Sequence, residues 1–298
     1  RPLSLAHAEE LLANRVYEGE GHFLAELLQN ADDAGARSFV VELRGREVHV
    51  HHDGVPFDAL DVLGVLSIGQ TTKGAGSIGQ FGVGFKAVHG VASRPRVFSG
   101  PYRFEIGAMG LARPLAAESP GPGLAEGLAE TRIVLPLRPA IDERRVLEQA
   151  LAIPAETLLT LRSVRRLRIV GPGVDRERRA EARPGRVRLV EEDGQESRGG
   201  RSRELLVAEG ALDGPLSRVL VAVRLDAEGL AAKLGPEEPS LYCYLPTRER
   251  TDLGVLIHAP FEVPLDRERI ERSSARNARA LELAGELLAH LIARVAAE

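Results

Sequence analysis

Apolar positions along the chain fall first at helical spacing and then at strand spacing. Residues 4–14 and 21–34 read as helices, the second with Phe23, Leu24, Leu27, Leu28 and Ala31 on its apolar face and Gly35 as its C-terminal cap. "SFVVELRGREVHVHHDG" (38–54) alternates around an Arg44-Gly45 turn, the pattern of a β-hairpin. A helix over 58–66 follows. The glycine-rich run "SIGQTTKGAGSIGQFGVGFKAVHGV" (67–91) then leads into a helix near Val83–Val91. "RVFSG" and "YRFEIG" predict two strands, "ESPGPGLAEG" (118–127) a loop, and "TRIVLPL" (131–137) a buried strand.

The pattern then restarts. Helices are expected over 141–152 and 154–161. The strands expected next are "RRLRIVG", "RVRLVEED", "SRELLVAEG", "RVLVAVRLD", "LYCYLPT" and "GVLIHAPFEVP", and a long amphipathic helix over 277–297 ends the series. The break near 138–142 predicts two domains, 1–140 and 141–298. The length of 298 residues agrees, since single cores stop growing at roughly 250–300 residues.

Charge and composition narrow the classes. A net charge of −4 gives no global pull toward nucleic acid or anionic membrane. The basic stretches "RSVRRLR" (162–168) and "DRERIERSSARNAR" (266–279) read as solvated strand and helix faces rather than a nucleic-acid surface, on charge-pattern grounds. No apolar run is long enough to span a membrane, and no signal peptide opens the chain. The single cysteine, Cys243, excludes an internal disulfide and makes the cytoplasm the expected compartment. The first residue is Arg1, so the sequence reads as processed, trimmed or cut from something longer. Only three lysines occur, and two of them, Lys73 and Lys86, fall in the glycine-rich segment.

Glu26, Asn30 and Asp33 are spaced i, i+4 and i+7, on one stripe of a helix whose neighbouring positions are apolar. Such groups must line a cavity or go unsatisfied. A carboxylate there can take a proton from an attacking water, and an amide can offer oxygen to Mg²⁺. "GQFGVG" (79–84) fits G-x-x-G-x-G. It is either a tight turn or a nest of backbone N–H groups for phosphate, without the ending of a Walker P-loop. His49, His51 and His52 suggest structural or pocket roles rather than a metal site.

Taken in order, "ELLQNADDA", "HDGVPF", "SIGQTTK", "IGQFGVGFKAV" and "TRIVLPL" resemble the Bergerat-fold ATPases called GHKL: gyrase, the ninety-kilodalton heat-shock chaperones, sensor histidine kinases and MutL. The sacsin-type branch is the one most resembled, and "CYLPTRERTDLGVLIHAPFEVPLDRERI" is similar to a segment that follows its ATPase domain. The resemblance implies an α+β fold, a two-layer α/β sandwich followed by a transducer-like or middle-like α/β domain. It implies ATP and Mg²⁺ as cofactors, with Glu26 as the general base, Asn30 as the metal ligand and Asp33 near the nucleotide. Gly79, Gln80, Phe81, Gly82, Val83, Gly84 and Phe85 would form the phosphate loop, Thr72 and Lys73 a short lid, and Thr131 part of the adenine site. Lys86 would face phosphate or solvent. Arg267 or Arg269 would supply a basic residue to the γ-phosphate. The adenine-reading acid of D-x-G-x-G is altered. His52 fills its slot if Gly54 is the first glycine, with Pro56 in place of the second; Asp53 serves if the strand slips by one.

The implied activity is an ATP-driven conformational switch. It would form an ATP-dependent homodimer or drive an effector or client module outside this chain. The alternative is a degenerate nucleotide sensor without hydrolysis. A histidine-kinase-like phosphotransferase is disfavoured, since no phospho-acceptor helix precedes the pocket.

Overall fold

A computed structural model describes residues 22–66, 85, 87–107, 111–116, 131–194, 200–214, 217–235, 238–264 and 269–295. Two compact units emerge, and they do not follow a single cut. One takes the described residues up to Ile153 together with Arg162–Glu177, Asp193 and Gly194. The other takes Pro154–Leu161, Arg178–Glu192 and the described residues from Gly200 onward.

The first unit begins with helix α1 (His22–Asp33), ended by Gly35 at φ +73°, a left-handed conformation that costs glycine little. Strands β1 (Ser38–Arg44) and β2 (Glu47–His52) form the expected hairpin, with Gly45 at φ +54° in the two-residue turn. Helices α2 (Ala59–Leu66) and α3 (Ala87–Val91) follow, then β3 (Arg96–Ser99), β4 (Tyr102–Ile106), β5 (Ala112–Pro114) and β6 (Thr131–Pro136). Helix α4 (Glu143–Ala152) is capped by the Asp142 side chain, which accepts from the Arg144 N–H. Within this unit the strands lie in the order β7-β1-β2-β6-β3-β4-β5, where β7 is Arg166–Gly171. Every pair is antiparallel except β1 with β7.

Side chains alternate across a sheet, so one row fixes a face. Phe39, Val41 and Leu43 share a face with Val48, Val50, Ile133, Leu135, Leu167 and Ile169, and all are buried. The opposite face is ionic: Arg96 meets Glu47 at 2.5 Å, Arg168 meets Asp175 at 2.7 Å, and the Arg132 guanidinium lies over the Phe98 ring at 4.3 Å.

The second unit carries the short helix α5 (Thr157–Thr160) and strands β9 (Arg186–Asp193), β10 (Arg201–Ala211), β11 (Arg218–Leu225), β12 (Ala231–Ala232), β13 (Leu241–Cys243), β14 (Leu245–Pro246) and β15 (Leu256–His258). Strand β8 (Val174–Arg183) divides between the units. The long helix α6 (Ala275–Val295) buries Ala280, Ala284 and Leu291 in a cluster with Val219, Val221 and Ile257. Ala155, Leu159, Leu205, Leu220 and Tyr242 belong to a separate cluster.

These strands overturn the expected two-layer α/β sandwich with a separate α/β domain behind it. All fifteen belong to one mixed sheet, and helices are few among the described residues. The reason is local. Beyond residue 140 the chain returns as β7 and pairs in parallel with β1, so the sheet extends past β1 instead of ending there. No helix among the described residues is long and apolar enough to cross a membrane.

The return is tied down by one carboxylate. Asp32, buried in the last turn of α1, accepts the N–H groups of Arg162 (2.9 Å), Ser163 (2.7 Å) and Val164 (2.9 Å). The carbonyl of Arg37 then accepts from Arg165 and Arg166 as β7 begins. Charge-assisted bonds of this kind contribute about 1.5–3 kcal/mol each when intact. Asp32→Asn replaces one acceptor by a donor aimed at N–H groups. It is expected to lower unfolding free energy by about 2–4 kcal/mol in urea melts. Asp33→Asn, whose partner is the side chain of a quarter-exposed Arg162, should cost clearly less.

Candidate functional site

Helix α1 buries polar groups as well as apolar ones. Glu26, Gln29 and Asp32 are each no more than 3% exposed, beside the core residues Leu24, Leu27 and Leu28. Asn30 is half-buried. Of the stripe of Glu26, Asn30 and Asp33, the first is buried and the other two are half-buried. Asp33 Oδ1 pairs with the Arg162 guanidinium at 2.7 Å.

The segment after β2 doubles back against α1. The Asp53 carboxylate oxygen Oδ1 accepts from Arg37 N (2.7 Å) and Ser38 N (2.8 Å), and Val55 N donates to Ala34 O (2.8 Å). Gly54 lies so close that an added Cβ would stand 2.8 Å from Ala34 O, so a side chain there has no room. Pro56, in place of the motif's second glycine, packs toward Gly100, whose Cβ position is 3.0 Å from the proline ring.

This folding-back completes a polar row at the end of the apolar sheet face. His52, Thr131 and Ser99 stand directly opposite one another on β2, β6 and β3, and each is at most 5% exposed. The Thr131 and Ser99 hydroxyls meet at 2.5 Å, and Ser99 Oγ also accepts from Phe57 N at 2.8 Å. His52 Nδ1 accepts from Gly54 N at 3.3 Å. Burial holds His52 far below the usual histidine range, at about 4, against the weaker pull of Asp53. His51, on the other face, is also pushed down to about 4, by burial first and then by His49 and nearby arginines.

The structure thus brings His52, Asp53, Gly54 and Thr131 to one end of the sheet. It gives Asp53 and Gly54 backbone-holding contacts. Phe85 is buried ahead of α3. Thr72, Lys73, Gly79, Gln80, Phe81, Gly82, Val83, Gly84, Lys86 and Arg267 lie outside the described residues. In the second unit Arg269 is exposed. The Asn277 side chain ties the backbone of Glu262 to that of Glu271 on either side of it. Ser99 was not singled out from sequence; its signal is a hydroxyl at the end of an apolar strand, just before a turn glycine. Among the described residues no three His, Cys, Asp or Glu side chains converge as a metal cage. A single amide ligand such as Asn30 suits Mg²⁺, which keeps waters and substrate phosphates in its shell.

No family model matches the chain. Over 111 residues, 34% of its length, it is 30% identical to Protein NO VEIN of Arabidopsis thaliana, and the match covers 4% of that protein. The chain therefore spans a small fraction of this relative. The fold is similar to a solved structure described as the N-terminal domain of a DNA repair protein. The TM-score is 0.54 and the identity 12%, with 96% of this chain and 99% of that one covered. At that identity the likeness is one of fold.

The buried histidines set an acid limit. An unfolded histidine takes a proton near pH 6.5, whereas His51 and His52 stay neutral in the fold down to about 4, and His258, fully buried, to about 3. Their contribution is fully present above pH 6.5 and is lost as pH falls from there toward 4. The urea midpoint should therefore drop steadily between pH 6.5 and 4, and His52→Gln should make that drop shallower.

Proposed function

We propose that this chain is a Mg²⁺-dependent nucleotide-binding conformational switch of the GHKL type, with ATP as the ligand its motifs imply. The observation that carries the reading is the buried Glu26 with half-buried Asn30 and Asp33 on one stripe of α1, in the same unit as the buried row His52, Thr131 and Ser99. Both are polar groups set into otherwise apolar surfaces, the composition of a ligand site rather than of a core. The motif order in the sequence supports it. In this reading Asn30 ligates Mg²⁺ beside the phosphates, Glu26 positions and deprotonates the attacking water, and the 79–85 loop receives the phosphates through backbone N–H groups. Nucleotide binding would then drive homodimerisation or an attached effector or client module.

A second reading, a nucleotide sensor that does not hydrolyse, is favoured by the commitment of an Asp53 oxygen to two backbone N–H groups. Calorimetry with Mg²⁺·ATP followed by a turnover assay on the same sample separates the two. Under the switch reading Glu26→Ala binds ATP as well as the parent but turns over roughly 10²–10⁴-fold more slowly. Asn30→Ala weakens Mg²⁺·ATP binding while sparing metal-free ADP. Parental turnover in Glu26→Ala would remove it as the base, and binding without turnover in the parent would leave the sensor. Absence of binding by any nucleotide would end both.

A further inference from the structure

The row at the end of the sheet has a definite hydrogen-bonding sense. The lone-pair nitrogen of His52, Nδ1, is occupied by the Gly54 N–H, so the neutral ring carries its proton on Nε2. That nitrogen can only donate, and no described residue accepts from it. The ring sits 5% exposed, in line with Thr131 and Ser99. Between them, those two hydroxyls share one hydrogen bond, and Ser99 takes a second proton from Phe57 N, which leaves one hydroxyl proton to give. The neighbouring carboxylate does not reverse this sense, because Asp53 Oδ1 is held by the N–H groups of Arg37 and Ser38 at the start of β1.

We propose that this row is the base-reading end of the nucleotide site and that it takes a 6-oxo purine, as in hypoxanthine or guanine nucleotides, at least as well as adenine. The inference rests on the nucleotide reading above and concerns only the base. Hypoxanthine and guanine present two acceptors side by side, N7 and O6, whereas adenine presents N7 beside an amine. A fixed N–H set against an amine leaves two buried donors unpaired, while set against a carbonyl it is satisfied. The hydroxyl pair adapts to either base because each hydroxyl can donate or accept, so His52 is the discriminating group.

The test is calorimetry of the whole chain with Mg²⁺·ATP, Mg²⁺·ITP and Mg²⁺·GTP, alongside His52→Asp, which replaces the donor by an acceptor. The parent is expected to bind ITP as tightly as ATP or more tightly, and His52→Asp to move the ITP-to-ATP ratio toward ATP by about tenfold or more. Tighter binding of ATP than ITP by the parent would overturn the inference and leave the nucleotide reading standing. An unchanged ratio in a folded His52→Asp, checked by circular dichroism, would also overturn it. If His52→Asp does not fold, the parental ratio decides alone. Binding of none of the three would instead bring down the nucleotide reading itself.

Discussion

Three successive backbone N–H groups converge on the carboxylate of Asp32, and the architecture of the first unit depends on them. A buried carboxylate is tolerable only when its lone pairs are filled, and segment 162–164 fills them from about 130 residues away. That bond set starts β7 alongside β1. A parallel pair has no hairpin to set its register, so an anchor at its beginning supplies what a turn supplies elsewhere.

The same device is used a second time. Asp53 accepts from Arg37 and Ser38 at the start of β1, as Asp32 accepts from Arg162 to Val164 ahead of β7. Two acids from adjacent motifs thus hold the backbone that leads into two adjacent strands. With the backbone fixed, Gly54 closes against Ala34 and Pro56 against Gly100, and Phe57 reaches Ser99. The row of His52, Thr131 and Ser99 is framed by this packing. The Gly54 N–H on Nδ1 gives His52 one tautomer, and from one tautomer comes a preference in hydrogen bonding.

Several elements are legible in the sequence. Helix α1 announced itself by its apolar spacing and the hairpin of β1 and β2 by alternation around a glycine, because both are local patterns. Strand β8 was not read, since "VDRERRAEAR" has almost no apolar residues. Its period of two lies in the sign of charge: Asp175 and Glu177 meet Arg168 and Arg166, while Arg178 meets Glu191. A strand stabilised by cross-strand ion pairs carries no hydrophobic alternation for a sequence reading to find. The continuous sheet was missed for a related reason. A break in pattern near residue 140 marks a change of element type and says nothing about which earlier strand the next one will join.

What the sequence alone determined is the set of local elements and the candidate chemistry: the helical stripe of Glu26, Asn30 and Asp33, the glycine loop, and Thr131 at the head of a buried strand. Residue type and short-range spacing suffice for those. Tertiary structure alone decided that Asp32 and Asp53 spend their oxygens on backbone N–H groups, that Ser99 joins Thr131, and that His52 presents a donor. Those outcomes depend on which groups meet across strands far apart in the chain, and a hydrogen bond's direction exists only once both partners are in place.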